Sequence, residues 1–361
     1  MSLALRSSHR QDRGVLIAGL ALAFISGLTM VSASAKLNPT LAARHAAWIV
    51  IGVLAALWVG RTNYRRWTDF AGIAYGLSIF ALALVPVAGA VRLGATRWLS
   101  VFGLSIQPSE MMKLATICLL ARYVAGQPSP LPARALWLSL VITGTPALLV
   151  FLQPDLGSAT IFAAIWLGMV WVAGISPRLL AGLAGSLLAL LPIGWHLLKD
   201  YQRDRLLVFI DPNADPLGAG YTIIQSTIAI GSGRLWGRGW LAGTQNQLNF
   251  LPERHSDFIF SVIGEEWGFL GAMIVVVLFA VLLGRAIHIA VRSSDPQGRL
   301  LIAGVVSWVG YQAFVNMGMV MGLLPVVGVP LPLISYGGSS MVTLWIALGL
   351  LQSVHRIDRT L

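Results

Sequence analysis

Long apolar runs alternate with short polar connections from one end of the chain to the other. Most runs have about 17 to 25 residues, the length that a helix needs to cross roughly 30 Å of hydrocarbon. Only helices satisfy their own backbone hydrogen bonds in lipid at this apolarity. The pattern therefore predicts an all-α, polytopic membrane protein with ten transmembrane helices, at approximately residues 15–34, 46–60, 70–89, 109–125, 135–152, 157–174, 178–198, 257–284, 299–323 and 336–354.

The predicted helices form one transmembrane domain over residues 1–361, and one connection is much longer than the others. This connection, 199–256, lies between the seventh and eighth predicted helices and is rich in glycine. Apolar residues such as Ile223 and Ile228 interrupt its polar character. We therefore expect an ordered lid with a short interfacial helix near 221–231, rather than a flexible linker.

Composition agrees with a membrane protein, because 57% of the residues are hydrophobic and only 11% are charged. The net charge of +11 does not indicate nucleic-acid binding, since the basic residues lie in separate connections. Their distribution predicts that both termini are cytoplasmic and that 199–256 is external. Ten of the 14 acidic residues fall in the predicted outer half. We therefore expect the polar chemistry on the external side.

Asp257 is the first catalytic candidate, because it ends the polar stretch Glu253-Arg254-His255-Ser256-Asp257 just before a long apolar run. A carboxylate at the membrane boundary can act as a general base when burial lifts its pKa toward neutrality. The alternative is a first-turn acid that follows a Ser256 helix cap and is stabilised by the helix dipole.

Glu265 and Glu266 follow on the same predicted helix, about 12 to 14 Å deeper at 1.5 Å per residue. Acidic residues at that depth are costly, so they either line a cavity or form a buried hydrogen-bonded pair.

Glu110 and Lys113 are three residues apart on the fourth predicted helix and therefore share a face. They form either a structural ion pair or part of a cavity in which Lys113 holds a phosphate or positions a carboxylate. The preceding external connection carries Arg92 and Arg97, which could meet an anionic lipid substrate or ordinary phospholipid.

Two further segments combine helix-breaking and polar residues. Gln153 and Asp155 lie between the fifth and sixth predicted helices, and 330–340 opens the last helix. Glycines in the second segment allow backbone amides to bind an anion, and Ser335 and Ser339 either cap the helix or donate to a sugar or pyrophosphate. No spacing matches a zinc site, a nucleotide-binding loop or a serine-hydrolase elbow.

Five motifs, taken in their order along the chain, resemble those of the SEDS family of membrane proteins. The stretch after Gly243 resembles the rod-shape RodA branch of that family. The five motifs are Gln107-Pro108-Ser109-Glu110 with Lys113, Gln153-Pro154-Asp155-Leu156-Gly157, the stretch from Gly243-Thr244-Gln245 to Leu251-Pro252-Glu253-Arg254-His255-Ser256-Asp257-Phe258, Glu265-Glu266, and Ile334-Ser335-Tyr336-Gly337-Gly338-Ser339-Ser340. The match covers about 100–345.

The resemblance implies polymerisation of lipid II into glycan strands at the outer face of the bacterial cytoplasmic membrane, with undecaprenyl pyrophosphate as the leaving group. The family's essential aspartate falls on Asp257. The expected substrate-binding residues are Glu110, Lys113, Arg92, Arg97, Gln153, Asp155, Arg203, Arg205, Glu253, Ser335 and Ser339. The family also suggests dependence on Mg²⁺ or Mn²⁺, with unknown ligands, a class B penicillin-binding protein as partner, and other proteins of the elongation complex.

Two other functions suit the same pattern. A lipid II flippase would have ten helices, intramembrane charges and a lipid substrate, but its essential charges should lie near the midplane. A non-catalytic activator of the penicillin-binding protein would tolerate replacement of Asp257.

Overall fold

The computed structural model describes residues 11–36, 38, 40–92, 95–101, 104–197, 200–218 and 220–358. The elements in chain order are α1 Arg13–Ser34, α2 Thr40–Arg61, α3 Tyr64–Asp69, α4 Ala71–Ala88, β1 Ala90–Arg92, β2 Ala95–Val101, β3 Leu104–Ile106, α5 Pro108–Ala125, α6 Ala133–Leu152, α7 Leu156–Ala173, α8 Pro177–Leu197, α9 Asp200–Ile210, a 3₁₀ turn Pro212–Ala214, α10 Tyr221–Gly233, α11 Thr244–Gln247, α12 Ile259–Arg292, α13 Pro296–Val320 and α14 Gly338–Asp358.

Ten of the described helices have at least 18 residues, and each contains most of one predicted span. They are α1, α2, α4, α5, α6, α7, α8, α12, α13 and α14. Six of them are long and apolar enough to cross a membrane by length and composition alone, and α4 contains a shorter apolar helix, Ala71–Val87. The prediction of a polytopic helical membrane protein is confirmed.

Helix α13 is the centre of the bundle. It packs against α5, α7 and α12, while α2 packs along α14. Gly304 permits the close approach of three helices, because a Cβ atom there would lie 2.7 Å from Ile117 on α5 and 2.9 Å from Met169 on α7. Polar side chains on α13 are consequently enclosed on most sides.

A small antiparallel sheet, in the order β1-β2-β3, precedes α5. Leu99 pairs with Ile106 and Val101 with Leu104. The all-α prediction did not include these strands, which are short and lie within a connection that separates two apolar runs.

The segment 200–258 forms an ordered lid at one side of the bundle, and we call that side of the membrane the lid side. The lid contains α9, the 3₁₀ turn, α10 and α11. Helix α10 confirms the short helix predicted near 221–231.

Helix α12 is interrupted at Gly268, whose φ of 67° and ψ of −163° are not helical. The lid segment 234–239 fills the interruption and pairs with the backbone groups that it frees. Its hydrogen bonds are Arg238 N to Glu265 O at 3.0 Å, Gly239 N to Glu266 O at 3.0 Å, Phe269 N to Arg234 O at 2.8 Å and Leu270 N to Leu235 O at 3.2 Å. After the interruption, residues 269–292 extend for about 36 Å, enough to cross the bilayer alone.

The opposite side of the bundle carries ion pairs between arginines on helices and acidic residues at helix ends. Arg65 Nη2 lies 2.8 Å from Asp295 Oδ2, Arg122 pairs with Asp69 at 3.3 Å, and Arg285 pairs with Asp12. The terminal arginines predicted to be cytoplasmic, Arg6, Arg10 and Arg359, lie outside the described residues.

Candidate functional site

Asp257 lies in a compact turn of residues 253–258, immediately before α12. The main-chain N–H groups of Ser256 and Phe258 both donate to Glu253 O, at 3.1 and 3.2 Å. Ser256 Oγ donates to Glu253 Oε2 at 3.0 Å, and Phe258 precedes the helix without a side-chain cap. The interpretation of Asp257 as a first-turn acid behind a Ser256 cap is therefore wrong.

Other elements bind three consecutive carbonyls of this turn. Tyr336 N donates to His255 O at 2.9 Å, Ser335 Oγ donates to Ser256 O at 2.6 Å, and Asn316 Nδ2 donates to Asp257 O at 2.8 Å. The Asp257 main chain is thereby fixed to α13 and to the segment before α14. Fixed backbone supports precise placement of a reactive carboxylate.

Burial lowers the pKa of His255, the Glu253 carboxylate opposes the shift, and the Arg254 charge adds to it. His255 and His45 both lie against Tyr336, with ring centroids 5.9 Å apart in each pair. The imidazole beside Asp257 is therefore expected to be neutral at pH 7.

Glu110 and Lys113 form a buried ion pair on α5, with Lys113 Nζ 2.8 Å from Glu110 Oε1 and side-chain exposures of 2% and 0%. Lys113 Nζ also lies 3.4 Å from Gln312 Oε1 and 4.9 Å from the centre of the Trp308 ring. The predicted contact between the two charges is present. Gln312 belongs to α13, four residues from Asn316, so the ion pair and the Asp257 turn adjoin one face of α13.

Several buried polar atoms near this face have no hydrogen-bond partner among the described residues. They are Ser109 Oγ, Glu110 Oε2, Thr116 Oγ1 and Asn316 Oδ1. Native proteins satisfy most buried polar atoms, and exceptions often mark places where water or a ligand binds. These atoms mark the contact between α5 and α13 as a candidate place for bound water or a polar ligand group.

Asp155 and Gln153 have structural contacts at the junction of α6 and α7. Asp155 Oδ1 accepts from Ser158 N at 3.1 Å and lies 3.8 Å from Arg97 Nη1, while Gln153 Nε2 donates to Leu82 O at 2.8 Å. Arg97 also donates to Pro154 O. These three predicted substrate-binding residues thus anchor the sheet and two helices.

The α6–α7 junction also adjoins the segment that supports Asp257. A Cβ atom on Gly157 would lie 2.5 Å from Val329 Cγ2, and Val329 O accepts from Asn316 Nδ2 at 2.7 Å. Ser339 Oγ accepts from Gln107 N at 3.1 Å and links α14 to the start of α5. The separate sequence motifs therefore meet around one segment, 327–339.

Arg203 Nη2 donates to His196 O at 3.0 Å, near the end of α8. The side chains of Arg92 and Arg205 lie outside the described residues. Their assignment as substrate-binding residues stays a prediction.

Glu265 and Glu266 bind the lid. Glu265 accepts from Gln245 N at 2.8 Å and Asn246 N at 3.2 Å, and Glu266 accepts from Leu241 N at 3.3 Å. Both glutamates are therefore buried and hydrogen-bonded to the lid, as the structural alternative expected.

Glu266 and Arg254 contact adjacent residues of α1, and the depth expected for Glu266 stays a prediction. Ser32 donates to Glu266, and the adjacent Ala33 accepts from Arg254 at 2.9 Å.

Sequence reasoning did not identify Gln312 and Asn316 as site residues. A detectable signal was present, since two amides four residues apart on a largely apolar helix lie on one face. Their role depends on hydrogen bonds to distant segments, which the sequence pattern does not show.

No three His, Cys, Asp or Glu side chains within the described parts of the chain come close enough to hold a metal ion. Because Mg²⁺ is often bound by one or two carboxylates together with substrate phosphates, the expected dependence on Mg²⁺ or Mn²⁺ stays a prediction.

A family model described as cell cycle protein, for FtsW, RodA and SpoVE, matches residues 13–360. The chain is 41% identical over 345 residues to the peptidoglycan glycosyltransferase MrdB of Escherichia coli, covering 95% of this chain and 93% of MrdB. A chain from a peptidoglycan synthase complex that coordinates polymerization and crosslinking gives a TM-score of 0.84 at 35% identity, over 97% of this chain and 98% of that chain. Thermus thermophilus RodA gives 0.72 at 30%, over 96% and 97%.

The fold and the site define a polytopic helical membrane protein with a buried polar cluster near one membrane boundary. The chain belongs to the SEDS family, which includes FtsW, RodA and SpoVE.

Proposed function

We propose that this chain is a peptidoglycan glycosyltransferase that joins lipid II disaccharides into glycan strands during cell elongation. Its similarity to MrdB and RodA, both of the same family, supports this activity. The structural observation that carries the proposal is the fixed Asp257 turn, which adjoins the same face of α13 as the buried Lys113–Glu110 pair. Glycosyl transfer from a lipid pyrophosphate requires two groups, a carboxylate base and a cation.

Asp257 acts as the general base. It accepts the proton from the 4-hydroxyl of the acceptor sugar while that oxygen attacks the anomeric carbon of the growing chain. One carbon–oxygen bond forms, the bond from the anomeric carbon to the pyrophosphate breaks, and undecaprenyl pyrophosphate leaves with the electron pair. Fixing the Asp257 backbone keeps the carboxylate in register with the acceptor hydroxyl.

The departing pyrophosphate needs positive charge, since negative charge accumulates on it as the bond breaks. Three of the predicted cations, Lys113, Arg97 and Arg203, have described side chains. Lys113 has Glu110 as its counter-charge, and Arg97 has Asp155 at 3.8 Å. A Mg²⁺ or Mn²⁺ ion remains a family-based prediction, with the pyrophosphate itself as the expected source of ligands.

We place the lid side at the outer face of the bacterial cytoplasmic membrane, with both termini in the cytoplasm. Arginines on the helices α3, α5 and α12, namely Arg65, Arg122 and Arg285, lie toward the opposite end of the bundle, as the positive-inside rule requires of the cytoplasmic side. Lipid II and the nascent strand would then meet Asp257 outside the cell.

A class B penicillin-binding protein is the expected partner, because new glycan strands must be crosslinked. The similarity to a chain from a peptidoglycan synthase complex supports this assignment. Other elongation-complex proteins would join the pair, and membrane lipid would surround the bundle.

The test is glycan formation from purified lipid II by the reconstituted chain and a purified class B partner that has no glycosyltransferase of its own. Wild type should form polymer, and Asp257→Ala should reduce turnover by about 10² to 10⁴-fold, the usual contribution of a general base. Asp257→Asn is the isosteric control for folding and partner binding. Polymer formation by a folded Asp257→Ala variant at the wild-type rate would contradict a catalytic role for Asp257, and absence of polymer from wild type without lipid II scrambling would support the non-catalytic activator.

A flippase is the other alternative. Absence of polymer from every variant, together with lipid II scrambling across vesicles, would favour it. The geometry favours the polymerase, because Lys113 lies only about 8 Å along α5 from the first helical residue, Pro108, and Asp257 lies before α12. An alternating-access carrier is expected to hold its essential charges near the midplane.

A further inference from the structure

Arg254 is a buried cation without a carboxylate partner among the described residues. It is only 3% exposed, and its Nε–H donates to a neutral acceptor, the main-chain carbonyl of Ala33, at 2.9 Å. The neighbouring acid is engaged elsewhere, since Glu253 Oε2 lies 3.0 Å from Ser256 Oγ and 4.0 Å from His255 Nε2. The described chain therefore leaves the charge of Arg254 uncompensated.

A guanidinium group has five N–H donors, and in the described structure only the Nε–H of Arg254 is bonded. Burial lowers the pKa of Arg254, but arginine remains protonated at neutral pH. A buried charge without a counter-charge is unfavourable. An anion bound to the remaining donors would remove this cost.

The position of Arg254 indicates which anion. Ala33 is the second-last residue of α1, so Arg254 lies near the membrane boundary on the lid side, at the level of lipid phosphates. The planar guanidinium matches two oxygens of a phosphoryl group. Asp257, the proposed base, is three residues further along the same turn.

We propose that Arg254 binds a phosphoryl group of the lipid-linked pyrophosphate, in the donor substrate or in the released undecaprenyl pyrophosphate. The identity of this ligand rests on the proposed function, whereas the anion site rests on the uncompensated charge. A phospholipid headgroup offers the same chemistry, and the experiment separates the two sources.

The experiment measures binding by native mass spectrometry of the full chain in dodecyl maltoside, a detergent without phosphate. The probes are undecaprenyl pyrophosphate, phosphatidylglycerol and undecaprenol, which has the same polyprenyl chain without phosphate. Arg254→Gln removes the charge and keeps an N–H that can donate to Ala33 O. Arg254→Lys keeps the charge, and Arg234→Gln removes an exposed arginine of the same lid as a matched control.

Arg254→Gln should weaken undecaprenyl pyrophosphate binding at least about tenfold, as loss of a charge-assisted hydrogen bond predicts. Arg254→Lys should weaken this binding less. Undecaprenol binding should be the same in all variants, and Arg234→Gln should bind undecaprenyl pyrophosphate as wild type does.

An equal loss of phosphatidylglycerol binding would overturn the lipid-linked assignment in favour of a phospholipid headgroup. Unchanged pyrophosphate binding in a folded Arg254→Gln chain would overturn the site and leave Arg254 as a tie to α1. Binding requires no turnover, so failure of the polymerase proposal would appear separately, as wild-type binding without polymer.

Discussion

Asn316 Nδ2 donates to the main-chain carbonyl of Asp257 at 2.8 Å and to that of Val329 at 2.7 Å. One buried amide on α13 thus joins the proposed catalytic turn to the segment that precedes α14. Its Oδ1 atom has no partner in the described structure. The side chain is therefore placed to hold Asp257 and keeps one acceptor atom available for water or a ligand.

Asn316→Ala should lower kcat on the order of 10²-fold, because small displacements of a catalytic group have effects of this size. The two carbonyls would lose their donor, and the free energy of unfolding should fall by about 1 to 3 kcal/mol. Polymerisation kinetics and thermal unfolding are the measurements, with KM changing less than kcat if Asn316 acts through Asp257. Thr145→Ala, which removes an exposed hydroxyl bonded to Val141 O on α6, is the control. Unchanged kcat in Asn316→Ala would contradict the positioning role.

The transmembrane helices could be predicted from the sequence because long apolar runs leave the backbone few alternatives in lipid. The lid helix α10 was also predictable, since Tyr221 and its apolar neighbours interrupt a glycine-rich connection. The pairing of Glu110 with Lys113 followed from local spacing on one helix. Local periodicity thus accounts for most of the framework and for one element of the site.

Features that depend on distant contacts were not predictable. The interruption of α12 at Gly268 lies within an apolar run, and the lid backbone at 234–239 stabilises it. Likewise, the hydrogen bond from Asn316 to Asp257 spans 59 positions and leaves no local pattern.

Lys113→Met should destabilise the protein by about 3 to 5 kcal/mol, because it leaves the buried Glu110 carboxylate without its cation. Glu110→Gln combined with Lys113→Met should recover a substantial part of that loss, since no unpaired charge remains. Unfolding of Lys113→Met, of Glu110→Gln and of the double variant in mixed detergent micelles completes a double-mutant cycle with wild type. If the double variant were as unstable as the sum of the single variants, the buried pair would not be the cause.

Gly243→Ala should loosen the lid. A Cβ atom there would lie 2.6 Å from Glu265 Oε2 and 2.9 Å from Glu265 Cδ, so it would disturb the carboxylate that binds Gln245 and Asn246. Hydrogen exchange of residues 234–246 should accelerate.

Gly231→Ala on α10 is the matched control for Gly243→Ala. A Cβ atom at Gly231 meets nothing within 4 Å, and alanine should favour the helix by up to about 1 kcal/mol. Equal exchange rates in the two variants would contradict a specific role for Glu265 in holding the lid.

The pH dependence of stability should report on His255. Burial lowers the pKa of this residue below its ordinary value of 6.5, with Glu253 opposing the shift and Arg254 adding to it. The unfolded chain then binds the proton more readily than the folded chain. The stabilising contribution is therefore complete above about pH 6.5 and declines as the pH falls toward the lower folded-state pKa.

Thermal unfolding between pH 7.5 and 5.5 should consequently show a steeper loss of stability in wild type than in His255→Gln. His288→Gln, which replaces an exposed histidine on α12, should retain the wild-type slope. Because His255 shares its turn with Asp257, the same titration should lower turnover in the acidic limb, and His255→Gln should reduce that part of the decline. Identical slopes in wild type and His255→Gln would mean that burial of His255 does not govern the acid sensitivity of the site.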